Sequence, residues 1–265
     1  MSTAKRTERG PFQADQLRSK DRYELSGGHP IYCAPVGGRG GLSNGVGFGV
    51  LDTDPAVESA GIDTGFSPEP GMLRAPDIAV GNVPNEPGWV KGVPPLAVEY
   101  ADVGQEEPEL QTKIVDLLAH GTKWVWVVRL KGARLVEVYE RGRPMRRVLP
   151  GEVLTAPGIL QNPVAVEALY DRDAAHEAVL RNLLQRRGFA SLDEVREEGR
   201  EEGREEGREE GREEGREEAL RVAVEAVCEL VAIELTTERR ERLAGLGLAE
   251  LRALLQHLRT TRAWP

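Results

Sequence analysis

Residues 94–121, PPLAVEYADVGQEEPELQTKIVDLLAHG, restrict the fold more than any other stretch. A proline pair opens PPLAVEYA (94–101), an alternating apolar run that reads as a strand. ELQTKIVDLLAHG reads as an amphipathic helix, with Leu110, Ile114, Leu117 and Leu118 on its apolar side and Gly121 placed to end it. Two charges break the pattern. Glu99 lies inside the strand, and Lys113, three after Leu110 and four before Leu117, falls in the stripe that faces the sheet.

RAPDIAVG (74–81) reads as a second proline-entered strand. Alternation puts Ile78 and Val80 on one face, with Asp77 and Ala79 on the other. In 94–101 the same rule groups Leu96, Val98 and Tyr100 against Ala97, Glu99 and Ala101. Each strand thus presents one acid flanked by alanines, whose small size leaves room beside the carboxylate. If the strands are neighbours, Asp77 and Glu99 converge on one hard cation, which prefers oxygen ligands. A lysine in the sheet-facing stripe must either extend its ammonium to solvent or meet a buried anion. Taken singly, Glu99 reads equally well as a solvated residue on an open face and Lys113 as a residue at the helix edge. Together, two acids and a lysine on an α/β sheet suggest metal-assisted phosphodiester hydrolysis. Burying such charges costs more than it returns, so neither Glu99 nor Lys113 is expected to support stability.

Composition narrows the alternatives. No apolar run of the 265 residues approaches the roughly 18 needed to span a bilayer. The opening MSTAKRTERGPFQADQLRSKDRYE lacks the apolar core of a signal peptide, so the expected location is cytoplasmic and no membrane partner is expected. Cys33 and Cys228 are far apart, and the four histidines are scattered, which argues against a disulfide scaffold or a zinc site. GGRGGLSNGVGFG (37–49) does not match GxGxxG, and no GK[ST] follows; it reads as a flexible loop or weak helix. Net charge is −9, but the six units from Arg196 to Ala219 hold six Arg and twelve Glu and so carry −6 of it. The remaining −3 leaves a DNA-binding surface open.

The chain divides into a flexible N-terminus (1–20), a mixed strand-and-turn core (21–170), a helical linker with REEG repeats (171–219) and a C-terminal helical segment (220–265). In the repeat each first Glu reaches the next Arg at i+3, which supports a helix modestly, while glycine at every fourth position opposes it by about 1 kcal/mol each. It reads as a solvated spacer; its glycine stripe would also let two helices pack closely in a coiled-coil-like dimer. Residues 220–265 carry enough apolar surface to need a partner, so a homo-oligomer through the C-terminal helices is expected.

The runs RAPDIAV (74–80), PPLAVEYADVGQEEPELQTKIVDLLAHGTKWVWVVRLKGARLVEVYERG (94–142) and GEVLTAPGI (151–159) resemble the Uma2 family, also called DUF820. These are restriction-endonuclease-like proteins of the PD-(D/E)XK nuclease superfamily. The likeness covers about residues 21–170, and DRYELSGGHPIYCAPVG resembles the family's opening strands. It implies an α/β fold, a mixed sheet flanked by helices, here followed by an all-α charged extension. It also implies a divalent-metal endonuclease with Mg²⁺ (or Mn²⁺) as cofactor and DNA as substrate. By motif Asp77 matches the PD aspartate, Glu99 the strand glutamate, and Lys113 a lysine on the following helix that stands in for the lysine of ExK. The implied metal ligands are Asp77 and Glu99, and the implied catalytic residues are these two with Lys113. The ExK position itself is Ala101, Pro95 replaces an acid common before the second strand, and 37–49 is a poor match to the family's helix. The alternative is a catalytically inactive nuclease-fold protein acting as an interaction or regulatory module.

Overall fold

The strand expected at 94–101 forms over Leu96–Ala101, is buried at all six residues, and lies inside a six-stranded mixed sheet. The structure, a computed structural model, describes residues 10–18, 20–81, 83–103 and 107–265; half of the expected flexible N-terminus, residues 1–9 and 19, lies outside them. In chain order the elements are a hairpin of β1 (Tyr23–Ser26) and β2 (His29–Tyr32), helix α1 (Gly38–Asp52), β3 (Ala60–Ile62) and β4 (Phe66–Ser67). Then come β5 (Ile78–Val80), β6 (Val90–Lys91), β7 (Leu96–Ala101) and helix α2 (Glu107–Ala119). The strands β8 (Trp124–Arg129), β9 (Leu135–Glu140), β10 (Arg146–Val148), β11 (Val153–Leu154) and β12 (Val164–Ala165) lead to helix α3 (Arg172–Arg186).

The large sheet has the order β10-β9-β8-β7-β5-β3. Only β7 and β8 pair in parallel within it, because α2 carries the chain back between them; its other pairs are antiparallel. Alternation separates the two faces as the sequence predicts. Ile78, Val80, Leu96, Val98, Tyr100, Trp126 and Val128 join the core on the α1 and α3 side. Ala97, Ala101, Val125 and Val127 lie under Leu110, Ile114 and Leu117 of α2. Gly121, at φ +116°, follows α2 in the left-handed region that favours glycine.

The glycine-rich stretch is a full helix, α1. Its buried positions Gly40, Ser43, Asn44, Gly47, Val50 and Leu51 recur at helical spacing, but four of the six are glycine or polar. A hydropathy pattern cannot see such a face. Packing supplies what propensity withholds: a Cβ at Gly47 would sit 1.9 Å from Tyr100 Oη, so only glycine admits β7 this close. Helix α3 packs beside α1, where Asn182 Nδ2 donates to Val50 O at 3.0 Å and Arg186 reaches the carbonyls of Asp52, Thr53, Asp54 and Val57.

The first compact unit ends at Ser191, and the second runs Leu192–Pro265. In the second unit the repeat and the apolar run after it form one 39-residue helix, α4 (Leu192–Leu230). Helices α5 (Thr237–Ala244), capped by Thr236, and α6 (Leu248–Thr261) fold back on its end. Val224, Cys228, Leu243, Leu251, Leu254 and Leu258 bury one another, so much of the apolar surface expected to need a partner finds one in its own chain. Among the described residues no helix is long and apolar enough to cross a membrane.

Candidate functional site

The antiparallel register Ile78↔Val98 extends by one residue to place Asp77, just before β5, opposite Glu99 of β7. Asp77 is fixed there by its own partner strand, since the Tyr100 backbone N–H donates to Asp77 Oδ2 at 2.6 Å. Lys113 reaches down from α2 to the same face. Its Nζ donates to Glu99 Oε2 at 3.1 Å and to the Ala75 carbonyl at 2.7 Å, and lies 2.9 Å from Glu99 Oε1. The three residues singled out in the sequence therefore stand on one face at one end of β7. Glu99 is 1% exposed, so it is not a solvated residue on an open face, and the Lys113 ammonium is paired rather than turned to solvent.

Sequence reasoning missed the rest of the cluster. Glu24 of β1 holds Lys113 Nζ at 3.1 Å with Oε1, while its Oε2 accepts from Arg74 Nη1 at 3.1 Å. Arg74, 1% exposed, also donates to Asp116 Oδ2 from Nη2 at 2.5 Å and from Nε at 3.0 Å. Ser26 Oγ donates to the same oxygen at 2.8 Å. The signals were present but short. Glu24 and Ser26 alternate with Leu25 in a four-residue strand, and Lys113 and Asp116 are three apart on α2, one helical turn.

Burial raises Glu99 to about 8; Lys113 opposes the rise, while Asp77 and Glu24 add to it. Burial also raises Asp77, against the pull of Lys113 and the Tyr100 N–H. Desolvation alone would push the Lys113 ammonium down, but Glu24, Glu99 and Asp77 outweigh it and hold the group above its ordinary value. These directions are compatible because the ammonium serves several acids at once. The carboxylates of Glu24, Asp77, Glu99 and Asp116, with Asp63 near enough to act on Asp77, outnumber the two cations Lys113 and Arg74 and leave the cluster short of positive charge when all are ionised. The cluster keeps its ammonium and favours a proton on a carboxyl group.

A divalent cation would supply that missing charge. Glu99 Oε1 is buried and accepts no hydrogen bond, since its approach to Lys113 Nζ is close but misdirected. Among the described residues no three His, Cys, Asp or Glu side chains form a ligand cage. The donor set would be a carboxylate pair, Asp77 and Glu99. It fits a Mg²⁺-like ion, which keeps several waters and binds through one or two carboxylates plus substrate phosphate.

This mixed sheet flanked by helices is nuclease-like in its relatives too. A solved structure described as a "putative nuclease belonging to DUF820", from Anabaena variabilis ATCC 29413, superposes with a TM-score of 0.53 at 16% identity, covering 62% of this chain and 99% of its own. That likeness establishes the fold: restriction-endonuclease-like α/β. The family model for Uma2, described as "Putative restriction endonuclease", matches residues 12–167, and the chain belongs to that family. No curated protein matches the sequence.

Proposed function

We propose that the chain is a divalent-metal-dependent endonuclease that hydrolyses DNA phosphodiester bonds. The observation that supports this reading is the placement of Asp77 opposite buried Glu99, with the Lys113 ammonium 2.9 Å from a Glu99 carboxylate oxygen. Asp77 and Glu99 would hold Mg²⁺ (or Mn²⁺), which when bound supplies Lewis acidity at a phosphate oxygen and lowers the pKa of water. The chain's own groups do the rest. The Tyr100 N–H orients Asp77, so one ligand oxygen is fixed before any ion arrives. Lys113 provides positive charge beside the pair, to orient the attacking water and offset the charge that grows on the phosphoryl oxygens. Water adds to phosphorus as a P–O ester bond breaks, and the departing oxygen takes up a proton. No covalent intermediate with the protein is required.

The test is plasmid cleavage by the full chain across a Mg²⁺ and Mn²⁺ titration, with Asp77→Asn as control. Metal-dependent nicking or linearisation that Asp77→Asn loses supports the reading. A wild-type protein that binds ion and DNA and cuts neither strand would be an interaction module.

A further inference from the structure

Glu24 has no place in the reading above, yet it touches the group on which that reading depends. We propose that Glu24 is the positioning residue for Lys113: one of its oxygens is anchored by buried Arg74 and the other keeps the ammonium in place when Glu99 turns to a cation. The inference rests on the nuclease reading for its purpose, though not for its geometry.

Lys113 Nζ donates to Glu99 Oε2 and to the Ala75 carbonyl, and Glu24 Oε1 stands 3.1 Å away as a second, ion-paired carboxylate. The two carboxylates differ in what else they hold. Glu99 has an oxygen without a hydrogen bond and lies opposite Asp77, so a cation at that pair claims Glu99's charge. Glu24 is held away from the pair. Its second oxygen accepts from Arg74, whose Nε and Nη2 donate to Asp116 on α2. Ser26, two residues along β1, closes the loop onto Asp116. In the chain Ser26–Asp116–Arg74–Glu24–Lys113, Asp116 and Lys113 stand one helical turn apart on α2. Without Glu24, Lys113 would keep Glu99 as its one carboxylate partner in this chain of contacts; it would then compete with the ion and be released when the ion binds.

The experiment combines ¹⁵N-lysine NMR and cleavage on the full chain. The protein has six lysines, so the Lys113 Nζ signal is assigned by its loss in Lys113→Met. In the ion-free protein the ammonium protons should exchange at least fivefold faster in Glu24→Gln, with Glu24→Asp intermediate. Mg²⁺ should leave the signal in wild type and erase it in Glu24→Gln. Cleavage should fall at least 30-fold in Glu24→Gln and recover to within tenfold of wild type in Glu24→Asp. The double variant with Lys113→Met should be no slower than Lys113→Met alone, because both changes remove one effect. Unchanged ammonium exchange in folded Glu24→Gln would overturn the proposal, as would rate losses that multiply in the double variant. If wild type neither binds Mg²⁺ nor cuts, the nuclease reading fails separately, and the ion-free exchange rates still decide whether Glu24 holds Lys113.

Discussion

The site cluster and helix α4 both concentrate charge, and they use it in opposite ways. Along α4, Arg200 and Glu197 stand 3.6 Å apart and Arg204 and Glu201 3.2 Å apart, all largely exposed and all local in sequence. Water and salt screen such pairs, and each contributes little. In the cluster, residues 24, 99 and 113 meet from β1, β7 and α2, residue 74 joins them from the segment before β5, and the carboxylates are buried. Charge density read along the sequence therefore points to the wrong region. What gives charge a chemical role is desolvation by neighbours distant in the chain.

The largest expected effect comes from removing the ammonium. Lys113→Met should reduce metal-dependent cleavage by about 10²–10⁴-fold. It should also lower the melting temperature, contrary to the expectation from sequence that this lysine is dispensable for folding. Stripping one partner from a buried pair costs about 3–5 kcal/mol because the other charges are stranded. Calorimetry and plasmid cleavage on the same preparation check both halves; a variant that cuts normally would remove the contrast with α4.

Asp77→Asn should weaken Mg²⁺ binding at least tenfold by calorimetric titration, since it takes away one of two carboxylate ligands. Equal affinity in the two proteins would mean that the pair does not share an ion.

The third effect depends on pH. Glu99 binds its proton more tightly folded, at about 8, than its ordinary value of 4.5. Between those values the folded state holds more protons than the unfolded one. The stabilisation is therefore full below about 4.5 and is lost as pH rises through about 8. Without divalent ions the melting temperature should decline across that window, and Glu99→Gln should flatten the decline. Mg²⁺ affinity should rise across the same window, because binding must displace the proton. A melting profile unaffected by Glu99→Gln would break the link between burial and charge.

The smallest effect belongs to the tail. Arg204→Gln should leave both melting temperature and cleavage unchanged within error, because its pair with Glu201 is exposed.

How much of this was legible depends on how far apart the informative residues lie. Strand β7, helix α2 and the facing of Glu99 and Lys113 followed from periodicity within 20 residues. Asp77 was legible because proline and alternation flagged the start of β5, although the strand proper begins only at Ile78. Glu24 and Arg74 were not, because their meaning comes from pairings that no local period records. Helix α1 was legible only as a flexible loop or weak helix, for another reason: its buried face is largely glycine, serine and asparagine, so there was no apolar stripe to decide between them.

That helix also bears on how sequences like this one can drift. At Gly37, Gly38 and Gly45 a methyl group would meet nothing within 4 Å, so substitution there has open space. At Gly47 it would strike the Tyr100 hydroxyl, which donates to the Leu169 carbonyl at 2.9 Å. A larger residue would push against the neighbour of Glu99 and, through its backbone N–H, against the hold on Asp77. Among the glycines of this helix, position 47 is thus the keyhole, where an added methyl group meets a buried hydroxyl. A descendant could replace the glycines that face open space and still keep the site, provided that it never filled position 47.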